Sequence, residues 1–419
     1  MYSKIKILKS KEKINSGRRK KVKMKDVWKE HEPNLGFKMI NRKKIVITTI
    51  IIIFIVLLII LIGTYCTNSG IRGWIDKFIL RKEVLQDSVA TIDLKEGQNA
   101  NVYAFNKYIG ILDQAKFTIY SNSGNKEKEL DVQISNPIYC SANRFLAIAE
   151  KQGQRIYLVT DKDVSWDTTI EGNISQIFVN KNGYVAVVIT GTLNKTVIKM
   201  YNPSGKAMFT QYLSSTRAVD VNISNDNKYL AIAEIDTSKT TIQSNIKIIS
   251  IDKAEKNAED YLEKTYSSTS GKLITNIRYQ DKNKLVCMYT DGISVIENGQ
   301  ENTLVETKDK KMSFQSIEID NNICYVEEKS SGLFTADSVV NIINIDNKNS
   351  KQYTVNYVAK EIFTNVDIIA LNLGTDIEFI NTGGWLVKRY VANQEITNVV
   401  VSNNIAGIVY RDKIEIINL

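Results

Sequence analysis

Histidine is almost absent from this chain. The single copy, His31, lies in the first tenth of the 419 residues. The long remainder therefore lacks the usual general base, any Ser-His-Asp arrangement and any histidine-ligated metal. Proline is nearly as scarce, at 3, and glycine is ordinary at 21, so no stretch reads as a Pro- or Gly-rich linker. The four cysteines, Cys66, Cys140, Cys287 and Cys324, form no CxxC pair and no finger spacing, which excludes a zinc or dithiol motif. Cys140, Cys287 and Cys324 sit in apolar, strand-like runs and read as small buried hydrophobes. A disulfide between two of them stays open at this point. GxSxG, P-loop and GxGxxG motifs are missing. Turns such as Asp281-Lys282-Asn283-Lys284 lack the glycine an EF-hand loop requires and read as hairpin turns.

Positive charge is missing from most of the chain. The formal net charge is +9, yet residues 1–44 hold 16 Lys and Arg against 4 Asp and Glu. The other 375 residues carry 39 basic and 42 acidic side chains, a net of −3. The main body thus has no surplus with which to neutralise phosphates, and no nucleic-acid partner is expected of it.

Charge is absent altogether from Ile45 to Ile71, and 16 of the 18 residues in Ile45–Ile62 are Ile, Leu, Val or Phe. Eighteen residues at the helical rise span about 27 Å, close to the hydrocarbon thickness. At roughly −0.5 kcal/mol per central apolar residue, insertion is favoured by about 8 kcal/mol. A transmembrane helix over 45–65 is expected. The run is longer than a signal-peptide core and no small-x-small cleavage site follows it. Gly63-Thr64-Tyr65 before Cys66 is a poor lipobox, because Tyr65 is bulky where a small residue is needed.

Orientation follows the basic residues, with six in the nearest 20 positions before the run and four after it. The N-terminal tail 1–44 is therefore expected in the cytoplasm and disordered, with Arg42, Lys43 and Lys44 among anionic headgroups. Beyond the run, Ile71, Trp74, Ile75, Phe78 and Ile79 recur on one helical face. A juxtamembrane helix or linker over 66–84 is expected, with Trp74 near the membrane interface. The alternative is a continuation of the membrane helix that docks on the following domain.

From about Val84 onward, long helical periodicity vanishes. Short runs rich in Ile, Val, Tyr, Phe and Thr alternate with Asn, Asp, Gly and Ser turns. One segment recurs: a polar turn, a bulky residue, then a short apolar strand. It reads Asn106-Lys107-Tyr108-Ile109, Asn143-Arg144-Phe145-Leu146, Asn182-Gly183-Tyr184-Val185 and Asn227-Lys228-Tyr229-Leu230. Weaker copies start at Asn283, Asn322, Asp367 and Asn404. Units begin near residues 101, 138, 175, 217, 273, 314, 361 and 396, a spacing that fits four strands per unit. The expected fold is all-β: a β-propeller over 85–419, with eight blades, or seven if one weak unit is an insertion. The last unit, from Ile396 to Leu419, has room for only three strands, and Ser88–Leu94 precedes the first unit as a lone strand. Pairing the N- and C-terminal strands would close the ring and remove an open edge. The fourth strand of a unit is often charged, as in Lys126-Glu127-Lys128-Glu129, which suits an outer edge. Lys253–Ser270 is helix-prone, and reads as a partner-contact feature or a long surface loop.

Ser224-Asn225-Asp226-Asn227-Lys228-Tyr229-Leu230-Ala231 resembles the Ser-Pro-Asp-Gly-Lys-Tyr-Leu-Ala motif of WD40-like repeats in TolB-type propellers, with Asn225 for Pro and Asn227 for Gly. The Trp-Asp dipeptide of true WD40 repeats occurs once, as Trp166-Asp167, which argues against that narrower family. The whole plan is similar to a Gram-positive family of single-pass membrane proteins of unknown function with propeller-like exteriors. That resemblance implies an envelope location and gives no activity.

The expected function is a membrane-anchored, non-catalytic binding or scaffolding module. Its partners would be the lipid bilayer and a protein, a peptide or a cell-wall polymer. No cofactor, metal or catalytic residue is implied. The alternative is a carbohydrate-active hydrolase with paired carboxylates in the propeller channel. Trp166 and Trp385 could serve such a site as platforms, although packing within a blade is the simpler role for both.

Overall fold

The computed structural model describes residues 42–67, 71, 75, 90–94 and 100–419, apart from positions 114, 239, 269–271, 281–283, 309, 331, 333–335, 375 and 403. These fall into two units, residues 1–63 and residues 64–419.

The first unit holds most of helix α1 (Arg42–Thr67), which contains the sequence RKKIVITTIIIIFIVLLIILIGTYCT. Its stretch Val46–Tyr65 has a mean hydropathy of 3.4 and is long and apolar enough to cross a membrane. Large apolar side chains from Val46 to Ile62 are exposed all round the helix.

The second unit is a ring of eight four-stranded antiparallel sheets. Blade 1 is built from Asn101–Phe105, Tyr108–Asp113, Lys116–Tyr120 and Lys126–Asp131. Blades 2 to 7 begin with the strands Pro137–Ala142, Asn173–Val179, Thr216–Ile223, Ile274–Tyr279, Met312–Ile319 and Glu361–Asn365. First strands of neighbouring blades touch all the way round, so they line the axis. Second strands are buried on both faces, as in Leu285–Tyr289, Ile368–Asn372 and Ile405–Val409, because each is sandwiched between adjacent blades. The blade-to-blade cores are made of their Ile, Val, Leu and Ala side chains. Each fully buried Ile or Leu contributes about 1.5–3 kcal/mol.

Closure occurs as the sequence leads one to expect. Blade 8 takes three strands from the C-terminal end, Asn398–Ser402, Ile405–Val409 and Lys413–Asn418, and its outer strand is Ala90–Asp93. The register pairs Ala90 with Ile416, Thr91 with Glu415, Ile92 with Ile414 and Asp93 with Lys413. Ile92, Ile414 and Ile416 then pack with Val102 and Ile109 of blade 1.

The recurring turn has a backbone cause. Asn106, Asn143, Asn227, Asn321 and Asn404 all adopt positive φ between the first two strands, at 51–62°. Asn tolerates this left-handed conformation because its short amide can bond locally. In blade 4 the Ser224 hydroxyl accepts hydrogen bonds from the amides of Lys228 (3.1 Å) and Tyr229 (2.9 Å) and donates one to Asp226 Oδ1 (2.7 Å). That explains why the propeller-like motif begins with Ser and has Asp two residues later.

Three expectations are refined. The helix-prone insertion yields only α2 (Ile251–Glu255), stopped near Asn257 at φ 54°, and Leu262–Ser267 is instead the outer strand of blade 4. The disulfide left open does not form, since Cys140, Cys287 and Cys324 are all free thiols. Trp166 is buried and packs on Tyr201 at 5.4 Å between ring centroids, whereas Trp385 is exposed at a turn of blade 7. The turn at 281–283 lies outside the described residues.

Candidate functional site

Of the expected membrane-interface residues, Arg42, Lys43 and Lys44 fall in the first turn of α1, and Trp74 lies outside the described residues. Among the described residues no three His, Cys, Asp or Glu side chains come together to hold a metal ion.

Two polar constellations stand out within the ring. The first lines the axis, where the inner strands are tied blade to blade by polar bonds. Gln176 Nε2 donates to the Val219 carbonyl (2.7 Å), and Gln280 Nε2 donates to the carbonyls of Ile317 (3.1 Å) and Ile319 (3.0 Å). Ser316 and Thr364 share a hydroxyl bond of 2.6 Å, and Asn365 Nδ2 donates to the Val401 carbonyl (2.8 Å). The Ser402 hydroxyl donates to the Asn106 carbonyl (2.7 Å), across the blade 8 to blade 1 seam.

Charged groups also enter this inner ring. Arg278 of blade 5 pairs with Glu318 and, at 3.5 Å, with Asp320, both from blade 6. Its guanidinium is held below its usual pKa by burial, with Asp320 and the Cys140 thiol opposing. Burial raises the Cys140 thiol, which is the opposite of what a reactive cysteine needs. Asp220, 5% exposed, accepts the amides of Val221 (2.9 Å) and, through its other oxygen, of Ile277 in blade 5 (2.7 Å). Burial pushes its carboxyl up to about 7, against the pull of those amides and the Asn276 side chain.

The second constellation is a Tyr–Glu pair that occurs at two successive blade interfaces. Tyr353, on the outer strand Ser350–Val355 of blade 6, donates its hydroxyl to Glu378 Oε2 of blade 7 at 2.7 Å. Glu378 is 3% exposed, and its other oxygen accepts from Arg389 Nε (2.7 Å) and Arg389 Nη2. Tyr390, on the outer strand Leu386–Val391 of blade 7, likewise donates to Glu415 Oε2 of blade 8. Tyr410 shares a 2.6 Å hydroxyl bond with Tyr390, and Lys413 Nζ lies 2.6 Å from Glu415 Oε1. Burial and the adjacent carboxylate raise Tyr390, and burial pushes Tyr410 up to about 12, so both phenols are neutral donors at neutral pH.

Beside this second pair lies a cleft of about 350 Å³, bounded by Tyr390, Tyr410, Lys413 and Glu415 with Asn393, Gln394 and Asp412. Its size is at the low end of the roughly 300–1,000 Å³ of small-molecule sites. Polar groups dominate its walls, and the Gln394 amide is held by Asp412 at 3.0 Å. Along its wall the carboxylate, the ammonium and the two phenols are bonded to one another.

Motif reading alone passed over these residues. The available signal is a spacing: Tyr390 follows Tyr353 by 37 residues, and Glu415 follows Glu378 by 37.

No curated protein matches the sequence. Solved structures with a similar fold include BamB from Moraxella catarrhalis, at 10% identity and a TM-score of 0.48, covering 79% of this chain and 98% of that one. AztD from Citrobacter koseri is 9% identical with a TM-score of 0.47, covering 74% and 91%. Sqt1 from Chaetomium thermophilum, solved bound to the N-terminus of the ribosomal protein L10, is 9% identical with a TM-score of 0.49, covering 77% and 98%. The model of a family of unknown function, DUF5711, matches residues 83–419, most of the chain, and the chain belongs to that family.

Proposed function

We propose that this chain is a non-catalytic binding module, a propeller held at a membrane by α1 and displayed on the extracytoplasmic side. The observation that carries this reading is the state of the axial carboxylates. A retaining or inverting hydrolase needs one carboxylic acid and one free carboxylate about 5–9.5 Å apart, facing substrate. Here Glu318 and Asp320 are both engaged by Arg278, and Asp220 is buried and bonded to backbone amides. These groups tie neighbouring blades together. The cleft between blades 7 and 8, by contrast, is preformed and lined by donors and acceptors.

The membrane placement rests on the apolar stretch Val46–Tyr65 and the basic residues before it, including Arg42, Lys43 and Lys44. A cytoplasmic N-terminus then leaves the ring outside, where a protein, a peptide or a wall polymer is within reach. The direct test is crosslinking of the full-length protein in its native membrane, followed by identification of what is captured. Reproducible capture of one partner supports the module. Turnover of a polysaccharide by the purified full-length protein, abolished by Asp220→Asn, would instead favour the hydrolase.

A further inference from the structure

We propose that the cleft between blades 7 and 8 is a seat for a guanidinium group, supplied by the arginine side chain of a ligand. This rests on reading the ring as a binding module. The sister interface between blades 6 and 7 holds the complete arrangement. There Tyr353 and Arg389 both bond to Glu378, and the sheet register sets Arg389 directly opposite Glu378. Directly opposed residues in a sheet share a face, so the guanidinium covers the carboxylate.

Advancing 37 residues carries Tyr353 to Tyr390 and Glu378 to Glu415. The same step from Arg389 runs beyond Leu419. Ring closure gives that position to the N-terminal strand, and the residue opposite Glu415 is Thr91. Thr91 has neither the charge nor the length of Arg389. Blade 8 therefore keeps two members of a three-member set, and both of them, Tyr390 and Glu415, line the cleft of about 350 Å³, whose lining does not include Thr91. Glu415 is correspondingly less covered than Glu378, at 9% exposed against 3%.

Lys413 partly compensates by approaching Glu415 Oε1 at 2.6 Å. Its ammonium is a point charge on a flexible stem, while a guanidinium offers a planar fork that matches a carboxylate bidentately. Asp412, in the same wall, keeps the formal charge of the cleft at −1 when Lys413 and Glu415 are counted with it. That balance selects a cation over an anion. The Tyr410 ring, which Lys413 Nζ already approaches at 5.2 Å from its centroid, adds an aromatic face suited to a cation.

The test uses full-length protein in nanodiscs with three probes: N-acetyl-arginine amide, N-acetyl-citrulline amide and N-acetyl-lysine amide. The arginine probe is expected to bind, and citrulline, the same shape without charge, to bind at least about tenfold more weakly. Lysine is expected to fall below arginine. Thr91→Arg sets a guanidinium opposite Glu415 in the register and should compete for that carboxylate, weakening arginine binding while raising the melting temperature of the free protein. Glu415→Gln should lose arginine binding with the fold retained. Equal binding of citrulline and arginine, or unchanged arginine binding in Thr91→Arg, would overturn the proposal. No binding of arginine, with crosslinking in membranes still capturing a partner, would sink the seat and leave the binding module standing.

Discussion

Val366 is the residue most at odds with its own backbone. It sits between the first two strands of blade 7 at φ 50°, where blades 1, 2 and 8 place Asn106, Asn143 and Asn404. A β-branched side chain is strained there. Its backbone is fixed from outside: the Asp320 amide of blade 6 bonds its carbonyl at 2.8 Å, and it bridges Ile319. Val366→Asn should therefore stabilise by about 1 kcal/mol, read as a higher melting temperature. Asp220 supplies a second residue-scale expectation. Its folded carboxyl is raised from 3.8 to about 7 by burial. A raised folded pKa means that stability is fully present below the unfolded value and is lost as pH rises toward 7. The melting temperature should fall between about pH 4 and pH 7, and Asp220→Asn should flatten that fall. A wild-type profile level over this window would contradict the assignment. Ser224→Ala strands the Tyr229 amide, while the Lys228 amide keeps Asp226 Oδ1 at 3.2 Å, and should cost about 1 kcal/mol in denaturant melts.

At the scale of strands, the Tyr–Glu pairs link the outer strand of one blade to the third strand of the next. Tyr353→Phe removes one hydrogen bond to a buried carboxylate and should destabilise by about 2 kcal/mol, measured by chemical denaturation. These pairs also mark where sequence reading stops. The turn asparagines and second strands were legible because each copy is local: a left-handed Asn, a bulky residue and a doubly buried strand follow one another within six positions. Tyr353 and Glu378 are 25 residues apart, on strands of different blades. No period-2 or turn signal joins them. Arg278 was equally silent, since its partners Glu318 and Asp320 come from the next blade. The insertion in blade 4 misled for a related reason. Its composition favours helix, but the open edge at Asn245–Ile249 recruits Leu262–Ser267 as a strand. Tertiary pairing overrides propensity there.

For the whole molecule, the governing fact is that the ring is sealed by strands from opposite ends of the propeller. Blade 8 without Ala90–Asp93 would expose Lys413–Asn418 as an edge and uncover Ile414 and Ile416, both fully buried. The same closure places Thr91 opposite Glu415, where the preceding blade has Arg389 opposite Glu378. Hydrogen exchange followed by mass spectrometry on the full-length protein tests this without altering it. Amides of Ala90–Asp93 are expected to exchange as slowly as those of Lys413–Asn418, in one cooperative unit. Rapid exchange at Ala90–Asp93 beside a protected Lys413–Asn418 would contradict the closure.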